Sequence, residues 1–393
     1  MITLITDNYP KNENQEISLN NWRNHPYNRV AFSNIEEILP VSIIKKGKNS
    51  ISFRYKSQDL SSFTFKNKYK ENQSVIDFLE RNYVDMFLVI KRGNIVFEWF
   101  YKSKFKNKQH ILFSVSKSIT ALVIALLIEN KLIDENKNLT FYIPEIKNSA
   151  YEGGTIRNLL DMSISSDFKE EYLDNSGLFN LYREATGFNP RSSKTKIGLK
   201  EFLKLMPKSE RLHGSKYQYC SPNTDLLGWI IERITNKKFS EFFSREIYQK
   251  CNPNYDAFVT LDHENSPRTA GGICMSVEDL GKIAELVRCK GALENQQIIK
   301  ENTISNLIDY DNQFNWLSIE QGNLFPEGSY RSQWYQTGLP NKEIYASGIH
   351  GQKVWIDRKN EISIVALSSR KQPLSPSFER NFSIFCSEIC KNI

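Results

Sequence analysis

The hydrophobic residues of the chain form two pairs of short runs, one in its first third and one near its C-terminus, and each pair encloses a polar turn. Residues 87–90 and 95–99 make the first pair, and residues 353–356 and 361–367 make the second. Apolar runs of this length around a short polar segment predict β-hairpins. Residues 378–389, which follow the second pair, have the spacing of an amphipathic helix. Both ends of the chain are therefore predicted to contribute strands.

A third hydrophobic pattern predicts a helix that is buried on nearly all sides. Apolar residues recur at helical spacing from Val115 onward, and the eight-residue run 121–128 extends the apolar surface around the segment. Ser114, a residue type favoured at helix N-termini, is the predicted start, and the helix is predicted to end near Asn130. The apolar run is far shorter than the roughly 20 residues needed to span a bilayer, so we expect no transmembrane helix and no membrane partner.

The order of these patterns predicts a discontinuous domain with an insertion. Residues 1–37 are rich in Asn, Pro and charge, and they are predicted to form an extended arm on the surface. Residues 38–135 and 262–393 hold the predicted strands, whereas residues 136–261 have helix and loop character. We therefore predict an α+β sheet domain built from both ends of the chain, an inserted helical domain, and a ligand cleft between the two.

Composition excludes several classes of protein. The chain has 393 residues, of which 40% are apolar and 25% charged, values typical of a soluble globular protein with room for two domains. Its first ten residues lack the basic start and apolar core of a signal peptide, so we expect a cytoplasmic protein. The six cysteines are sparse, and Cys386 and Cys390 have the spacing of one helix turn. This spacing favours inert thiols over a redox or zinc pair.

The net charge of +7 does not indicate nucleic-acid binding. Lysines are spread through the whole chain, and the one local basic run, residues 102–108, contains a single aromatic residue. The sequence also contains no phosphate-loop motif, no HExxH and no paired CxxC. We therefore expect no nucleic-acid partner, no metal and no cofactor.

The predicted buried helix carries the most informative chemical pattern. Its first turn, Ser114 to Lys117, reads Ser-x-x-Lys, a pattern that the chain contains at six positions. Only this copy begins a buried helix, which would desolvate the lysine beside the serine. A serine nucleophile needs a proton acceptor, and a lysine accepts a proton only as a neutral amine, which burial favours. These residues alone leave two interpretations, a nucleophile with its base or a helix cap followed by a solvated charge.

Residues 111–118 (Ile-Leu-Phe-Ser-Val-Ser-Lys-Ser) resemble the nucleophile motif of the serine β-lactamase and penicillin-binding-protein family. They are most similar to the branch that holds esterases and the 6-aminohexanoate-dimer (nylon oligomer) hydrolase. The resemblance continues in the same order over most of the chain, at residues 26–29, 142–145, 155–162, 271–273 and 276–280. It implies a β-lactamase/DD-peptidase-like α+β fold, in which helices flank an antiparallel sheet and an all-helical domain is inserted, and a reaction without a cofactor.

By this resemblance, Ser114 is the nucleophile, Lys117 is its neighbouring amine and Tyr219 is the catalytic phenol of a Tyr-x-Ser motif. Ser221 supplies the neighbouring hydroxyl of that motif, and Tyr217 is the alternative in a different register. A phenol beside an ammonium can be held partly as phenolate and can relay a proton to the leaving group. Whether Lys117 or Tyr219 takes the first proton is left open.

The candidate substrate-binding residues include a third motif that departs from the β-lactamase pattern. Where β-lactamases have Lys-Thr-Gly, this chain has Ala346, Ser347 and Gly348, so the cation that binds a substrate carboxylate is missing. Its absence argues against β-lactam and D-alanyl-peptide hydrolysis. The resemblance assigns Ser347 and Gly348 to substrate binding. Tyr172 falls where the nylon-oligomer branch contacts the amide leaving group, and Trp334 is a candidate wall of the pocket.

The residues after the third motif are assigned to the oxyanion hole. By the same resemblance, the N–H groups of Ser114 and Ile349 hold the oxyanion. His350 has two interpretations: it supplies charge to the substrate, or it has a structural role.

Together these residues predict a serine hydrolase that forms an acyl-enzyme on Ser114 and cleaves small carboxylic esters and linear amides such as 6-aminohexanoate oligomers. Two alternatives stay open: β-lactamase or D-alanyl peptidase activity, and a non-catalytic descendant that binds a peptide or a cell-wall fragment. Retention of Ser114, Lys117 and Tyr219 favours the enzyme, because a binding module has no chemical need for all three. The oligomeric state is left open, with a homodimer as one outcome.

Overall fold

Strands at both ends of the chain and helices in its middle make up the fold, seen in a computed structural model that describes residues 16–60, 62–172, 176–192, 196–309 and 324–393. The strands are β1 (Val41–Ile44), β2 (Arg54–Tyr55), β3 (Thr64–Lys66), β4 (Asn72–Ser74), β5 (Val84–Lys91), β6 (Asn94–Phe100), β7 (His110–Ile111), β8 (Ala257–Thr260), β9 (Ile273–Met275), β10 (Ala292–Leu293), β11 (Gln296–Gln297), β12 (Ser329–Arg331), β13 (Trp334–Gln336), β14 (Ile344–Gly348), β15 (Gln352–Asp357) and β16 (Ile362–Ser368). The α-helices are α1 (Asn28–Ala31), α2 (Val75–Arg81), α3 (Val115–Glu129), α4 (Leu139–Tyr142), α5 (Ile156–Leu160), α6 (Gly177–Ala185), α7 (Leu199–Lys204), α8 (Ser221–Thr235), α9 (Phe239–Phe243), α10 (Val277–Arg288), α11 (Glu301–Ile308) and α12 (Pro376–Asn392). Shorter 3₁₀ or π turns lie at Ile35–Glu37, Ser103–Phe105, Pro144–Ile146, Ser244–Tyr248, Gln249–Cys251 and Ile349–Gly351.

An eight-stranded sheet forms the centre of the fold, in the order β12-β13-β14-β15-β16-β5-β6-β2. Its neighbouring strands are antiparallel, except that β2 and β6 run parallel. Both predicted hairpins are present: β5 pairs with β6 around Arg92 and Gly93, which have positive φ, and β15 pairs with β16. The predicted α+β class, with one sheet built from both ends of the chain, is confirmed.

Helices cover both faces of this sheet. α3 and α10 pack on one face, where Gly281 of α10 lets the helix approach Leu88 and Ile90 closely. The predicted C-terminal helix is α12, and its Phe385 contacts Phe87 on the other face. Because successive side chains of a strand point to opposite faces, the strand register assigns each residue to the α3 face or to the α12 face.

A smaller antiparallel sheet, in the order β1-β8-β9-β7, leads the chain toward Ser114. Just beyond β7, the N–H of Leu112 donates to the carbonyl of Ile273 at 2.9 Å. Strand β8 of this sheet falls in the range 136–261, which was predicted to be all-helical, yet it pairs with β1 and β9. The helical part of that range therefore ends with the turn Gln249–Cys251.

The predicted motifs lie on two helices, α3, which has the expected bounds, and α8. α3 buries its side chains from Val115 to Leu127 and ends with Asn130 as its C-cap. The C-cap of α8 is Asn236, whose φ of 49° is the left-handed conformation typical of a helix C-terminus. Along the part of the chain that the structure describes, no helix is long and apolar enough to cross a membrane.

Residues 16–37 do not form the extended surface arm that the sequence predicts for residues 1–37; residues 1–15 lie outside the described residues. The described part of the segment contains α1 and buries Trp22 and Phe32 in a second hydrophobic cluster with Phe113. Trp22 Nε1 also donates to the carbonyl of Phe188 at 3.1 Å. The prediction was wrong because polar residues dominate the composition of the segment, whereas its few large apolar residues make the buried contacts.

We expect Trp22→Ala to lower the free energy of unfolding by about 3–5 kcal/mol, because it removes a fully buried aromatic side chain. Equilibrium unfolding in urea, followed by circular dichroism, measures the change. Tyr69→Ala is the control, since Tyr69 is 67% exposed. Equal stability of the two variants would contradict a core role for residues 16–37.

Candidate active site

A sharp backbone turn places Ser114 at the start of α3. Phe113, which precedes it, has a φ of 43°, a region that costs a non-glycine residue roughly 1–3 kcal/mol. Packing holds this turn, since the Phe113 ring stacks on Trp22 at 6.2 Å and meets Phe32 edge-on at 5.0 Å. Ser114 occupies the N-cap position, but its side chain makes no capping hydrogen bond. The interpretation of Ser114 as a helix cap is therefore wrong.

The Ser114 hydroxyl lies between the functional groups of Lys117 and Tyr219. Lys117 Nζ is 2.8 Å from Ser114 Oγ, and the Tyr219 hydroxyl donates to the same oxygen at 2.7 Å. Lys117 Nζ also donates to the carbonyl oxygen of Ala270 at 2.8 Å. The structure thus brings together the three side chains of the predicted motifs, although Tyr219 is 105 residues from Ser114 along the chain.

Lys117 is buried, with 2% of its surface exposed. Burial lowers the pKa of Lys117 to about 7, because the ammonium loses its hydration; the charge of Glu170 opposes this change and that of Arg268 adds to it. Near neutral pH, a large fraction of this lysine is therefore the neutral amine. That form can accept a proton from Ser114.

Tyr219 is held as a neutral phenol. Burial raises the pKa of Tyr219 well above its ordinary value, and Tyr335 and Glu170 raise it further. The phenolate that the sequence left open is therefore disfavoured. Of the two candidate bases, the environment favours Lys117 as the first proton acceptor.

The register of the Tyr-x-Ser motif is the expected one. Tyr217, the alternative, lies against Tyr330, with ring centroids 5.0 Å apart, and hydrogen-bonds to Tyr335. Tyr219, two residues later and just before the N-cap of α8, is the tyrosine that contacts Ser114.

A carboxylate that the motifs did not single out lies beside these groups. Glu170 accepts hydrogen bonds from the N–H and the hydroxyl of Ser221, each at 2.7 Å, and from the hydroxyl of Tyr172. All three residues line a small cavity at Ser114. Glu170 therefore positions two of the predicted substrate-binding side chains, and its charge raises the pKa of Lys117 against the effect of burial.

A buried ion pair supports the carbonyl group that binds Lys117. Arg268 pairs with Oδ2 of Asp225 on α8, and Oδ1 of the same carboxylate accepts from the N–H of Ala270 at 2.8 Å. The position of the Lys117 amine thus depends on α8 and on the loop before β9. Removing one partner of such a pair leaves an uncompensated buried charge.

Strand β14 brings the backbone of Gly348 and Ile349 next to Ser114. A Cβ atom at position 348 would lie 2.7 Å from the carbonyl oxygen of Leu112 and 3.1 Å from the nitrogen of Ser114, so the close approach requires glycine. Ile349 lines the cavity at Ser114. The backbone segments assigned to the oxyanion hole are therefore neighbours.

Ser347, which the sequence assigned to substrate binding, faces away from Ser114. Its register partner is Lys353, whose Nζ donates to Ser347 Oγ at 2.6 Å and pairs with Glu379 of α12. The assignment was wrong because alternate side chains of β14 point to opposite faces, which directs Gly348 toward α3 and Ser347 toward α12. The third motif thus has a lysine beside it, but on the far side of the sheet.

His350 does not supply charge to a substrate. Burial lowers the pKa of His350 to about 4, so its imidazole is neutral at pH 7. Its Nδ1 lies 2.7 Å from the carbonyl oxygen of Arg370, and its ring packs against Phe32 and Phe113. Its neutral ring therefore supplies no charge to a substrate, which favours the structural interpretation, although His350 also lies among the residues that line a second cavity next to the one at Ser114.

Trp334 is buried in the interior and does not line the cavity at Ser114. It lies on β13, which has a partner strand on each side, and its ring belongs to the main hydrophobic core. The assignment of Trp334 to the pocket wall was wrong because the sequence does not show which way a strand residue faces. Tyr172, the other aromatic candidate, does line the cavity.

Three arginines that no motif indicated also line this cavity, namely Arg23, Arg183 and Arg268. They come from the N-terminal segment, from α6 and from the loop before β9. The sequence carried no signal for them, because basic residues are spread through the whole chain. Within the described ranges, no group of three or more His, Cys, Asp or Glu side chains is arranged to hold a metal ion.

Relatives of known sequence place the chain in a family. The Beta-lactamase family matches residues 79–387. The chain belongs to the beta-lactamase family. A 6-aminohexanoate-dimer hydrolase from Paenarthrobacter ureafaciens is 29% identical to this chain over 367 residues. The match covers 93% of this chain and 91% of that protein.

Solved structures share the fold of this beta-lactamase family member. A provisionally named 6-aminohexanoate-dimer hydrolase from Bacillus anthracis matches with a TM-score of 0.85 at 22% identity, over 95% of this chain and 96% of that chain. A family VIII carboxylesterase matches with a TM-score of 0.57 at 14% identity, over 79% of this chain and 95% of that chain. The family resemblance drawn from the motifs is confirmed, together with the β-lactamase-like fold.

We expect the rate at which a fluorophosphonate probe labels Ser114 to rise about tenfold per pH unit below pH 7 and to level off above it, because only the neutral amine of Lys117 accepts the proton. In Glu170→Gln, a negative charge that raises the pKa of Lys117 is lost, so the midpoint should move to lower pH. Initial labelling rates across this pH range, read by intact-protein mass spectrometry, measure both effects.

The control for this experiment is Glu80→Gln, a change at an exposed carboxylate on α2, which should keep the wild-type midpoint. An unchanged or higher midpoint in Glu170→Gln would show that Glu170 does not act on Lys117.

Proposed function

We propose that this protein is a serine hydrolase that forms an acyl-enzyme on Ser114 and cleaves small carboxylic esters and linear amides. The observation that carries the proposal is the position of Ser114 Oγ, 2.8 Å from the amine of Lys117 and 2.7 Å from the phenol of Tyr219, at the edge of a cavity. The relatives named 6-aminohexanoate-dimer hydrolase and carboxylesterase support these two substrate classes.

In the acylation step, Ser114 Oγ bonds to the substrate carbonyl carbon while its proton passes to the neutral amine of Lys117. The π electron pair of the carbonyl moves to its oxygen, and the N–H groups of Ser114 and Ile349 hold the resulting oxyanion. In hydrolases of this kind, each such donor is worth about 10²–10³ in rate. The close approach of Gly348 to the Ser114 nitrogen supports this assignment.

The collapse of this intermediate requires a proton for the leaving group. Tyr219 donates it and regains a proton from the Lys117 ammonium, so that the leaving group departs as a neutral alcohol or amine. Tyr219 suits this role because burial keeps it protonated and its hydroxyl lies at Ser114 Oγ. Water then attacks the acyl carbonyl, the same groups act in reverse, and the acid is released.

The alternatives find less support at the site. β-Lactam or D-alanyl peptide hydrolysis lacks the family's cation, since Ala346 occupies its position and the neighbouring Lys353 faces α12. A non-catalytic binding role would leave unexplained why a buried amine of lowered pKa lies in hydrogen-bond contact with Ser114.

We expect Ser114→Ala to abolish hydrolysis of p-nitrophenyl butyrate, and Tyr219→Phe to lower kcat/KM for ethyl butyrate by about a hundredfold or more, because its alkoxide leaving group needs the proton that Tyr219 donates. Tyr217→Phe, which loses a hydroxyl two positions earlier, is the matched control and should keep near wild-type activity. Parallel assays with a 6-aminohexanoate oligomer and a chromogenic cephalosporin rank amide and β-lactam turnover. Mass spectrometry of quenched reactions should find the acyl group on Ser114.

Turnover that persists in Ser114→Ala would overturn the proposal. A folded wild-type protein that hydrolyses none of these substrates and does not react with a fluorophosphonate would also overturn it, in favour of the binding descendant.

A further inference from the structure

A second cavity lies next to the one at Ser114. It has a volume of about 590 Å³, and both cavities are lined by Arg23, Tyr172, Arg183 and Ile349. A substrate group attached near the scissile bond can therefore extend past Tyr172 and Ile349 into this second cavity.

The described side chains that line the second cavity include cations but no carboxylate. The cations are Arg23, Arg183 and Lys371. Neutral amides supply much of the remaining polar surface: Asn20, Asn24, Asn180, Asn189 and Gln372. Among the described residues, the charged side chains of this cavity are therefore all cations, and the amide groups add further hydrogen-bonding groups.

Arg23 is a cation of this cavity whose charge is not balanced by any described acidic residue. Its guanidinium donates to the neutral amide oxygen of Asn189 and lies 5.3 Å from the ring centroid of Trp22, and it makes no ion pair with any described residue. Burial, together with repulsion from Arg183 and Arg268, lowers the pKa of Arg23 to about 10. An anion here would relieve this repulsion and form charge-assisted hydrogen bonds, which a guanidinium makes with both oxygens of a carboxylate.

We propose that the substrate hydrolysed at Ser114 carries a carboxylate, which enters the second cavity and binds Arg23, with Lys371 adding positive potential. This inference rests on the proposed function, because it concerns the substrate of the same site. A substrate with an ammonium in that position would be repelled by Arg23 and Lys371. A neutral substrate would leave the Arg23 guanidinium without a counter-charge.

Two nearby acids form no ion pair with Arg23. Glu184 does not line the second cavity, and its oxygens accept from Asn180 and from the N–H of Ser192. Glu170 lines the cavity at Ser114, but its oxygens are engaged by Ser221 and by the hydroxyl of Tyr172.

Two matched ester series test the proposal and locate the carboxylate. In the first, p-nitrophenyl esters of adipate, hexanoate and 6-aminohexanoate differ only at the far end of the acyl chain. In the second, the acetate esters of 6-hydroxyhexanoate and 1-hexanol differ only on the alcohol side. We expect kcat/KM to be about tenfold higher for the carboxylate-bearing member of one series, mainly through a lower KM, as one charged hydrogen-bonded contact would give.

Substitutions of the cavity's cations test whether these residues cause the preference for carboxylate-bearing esters. Arg23→Gln should reduce the ratio of kcat/KM between carboxylate and neutral esters toward one, and Lys371→Gln should reduce it in part. Arg54→Gln, at an exposed arginine on β2, is the control and should keep the wild-type ratio. Lys371→Gln keeps the test valid if Arg23→Gln does not fold.

A binding measurement separates this inference from the proposed function. Calorimetric titration of Ser114→Ala with monomethyl adipate and 6-acetoxyhexanoate, against methyl hexanoate, reports anion binding without turnover. Binding of at least one of the two anions that weakens in the Arg23→Gln background supports the inference even if no ester is hydrolysed. The inference would be overturned if both anions bound equally to or more weakly than the neutral ester. It would also be overturned if the preference for the anions persisted in both Arg23→Gln and Lys371→Gln. Neither result would contradict the hydrolase proposal.

Discussion

The burial of one amine is the constraint on which the rest of the site depends. Lys117 lies in the first turn of α3, and the removal of its ammonium from water brings its pKa to about 7. A solvated lysine at the same position would stay charged and could not accept a proton from Ser114. The helix must be apolar on nearly all sides for this to hold, so the hydrophobic pattern that packs the core also lowers the pKa of Lys117. Glu170 limits the effect, because its charge opposes the fall of the pKa.

Segments that are distant in sequence hold the Ser114 and Tyr219 hydroxyl groups at hydrogen-bond distance. The N-terminal segment packs Trp22 and Phe32 on Phe113 and so stabilises the strained turn before Ser114. The middle of the chain supplies Tyr219 from the start of α8, and β14 supplies backbone from the C-terminal part. Because a displacement of about 1 Å can cost a hundredfold in rate, such a site requires the complete fold.

Two cations show how the direction of a side chain decides its role. Lys353 lies beside the third motif, yet it faces α12 and pairs with Glu379, so it contributes to the packing of the C-terminal helix. Arg23 belongs to no motif, yet its neutral partner Asn189 leaves its charge directed at the cavity next to Ser114. The cations that line the cavity at Ser114 therefore come from other segments than the lysine of the β-lactamase pattern.

The sequence by itself determined the two hairpins, α3, the C-terminal helix and the set of side chains that includes Ser114 and Tyr219. These features follow from local periodicity and from linked motifs, which are properties of short segments. Only the tertiary structure decided that Ser347 turns away from the site, that His350 is buried and neutral, and that Arg23 lines the cavity. The reason is physical: the face a strand residue occupies, the hydration of a titratable group and the partner of a charge are set by neighbours that folding brings from distant parts of the chain.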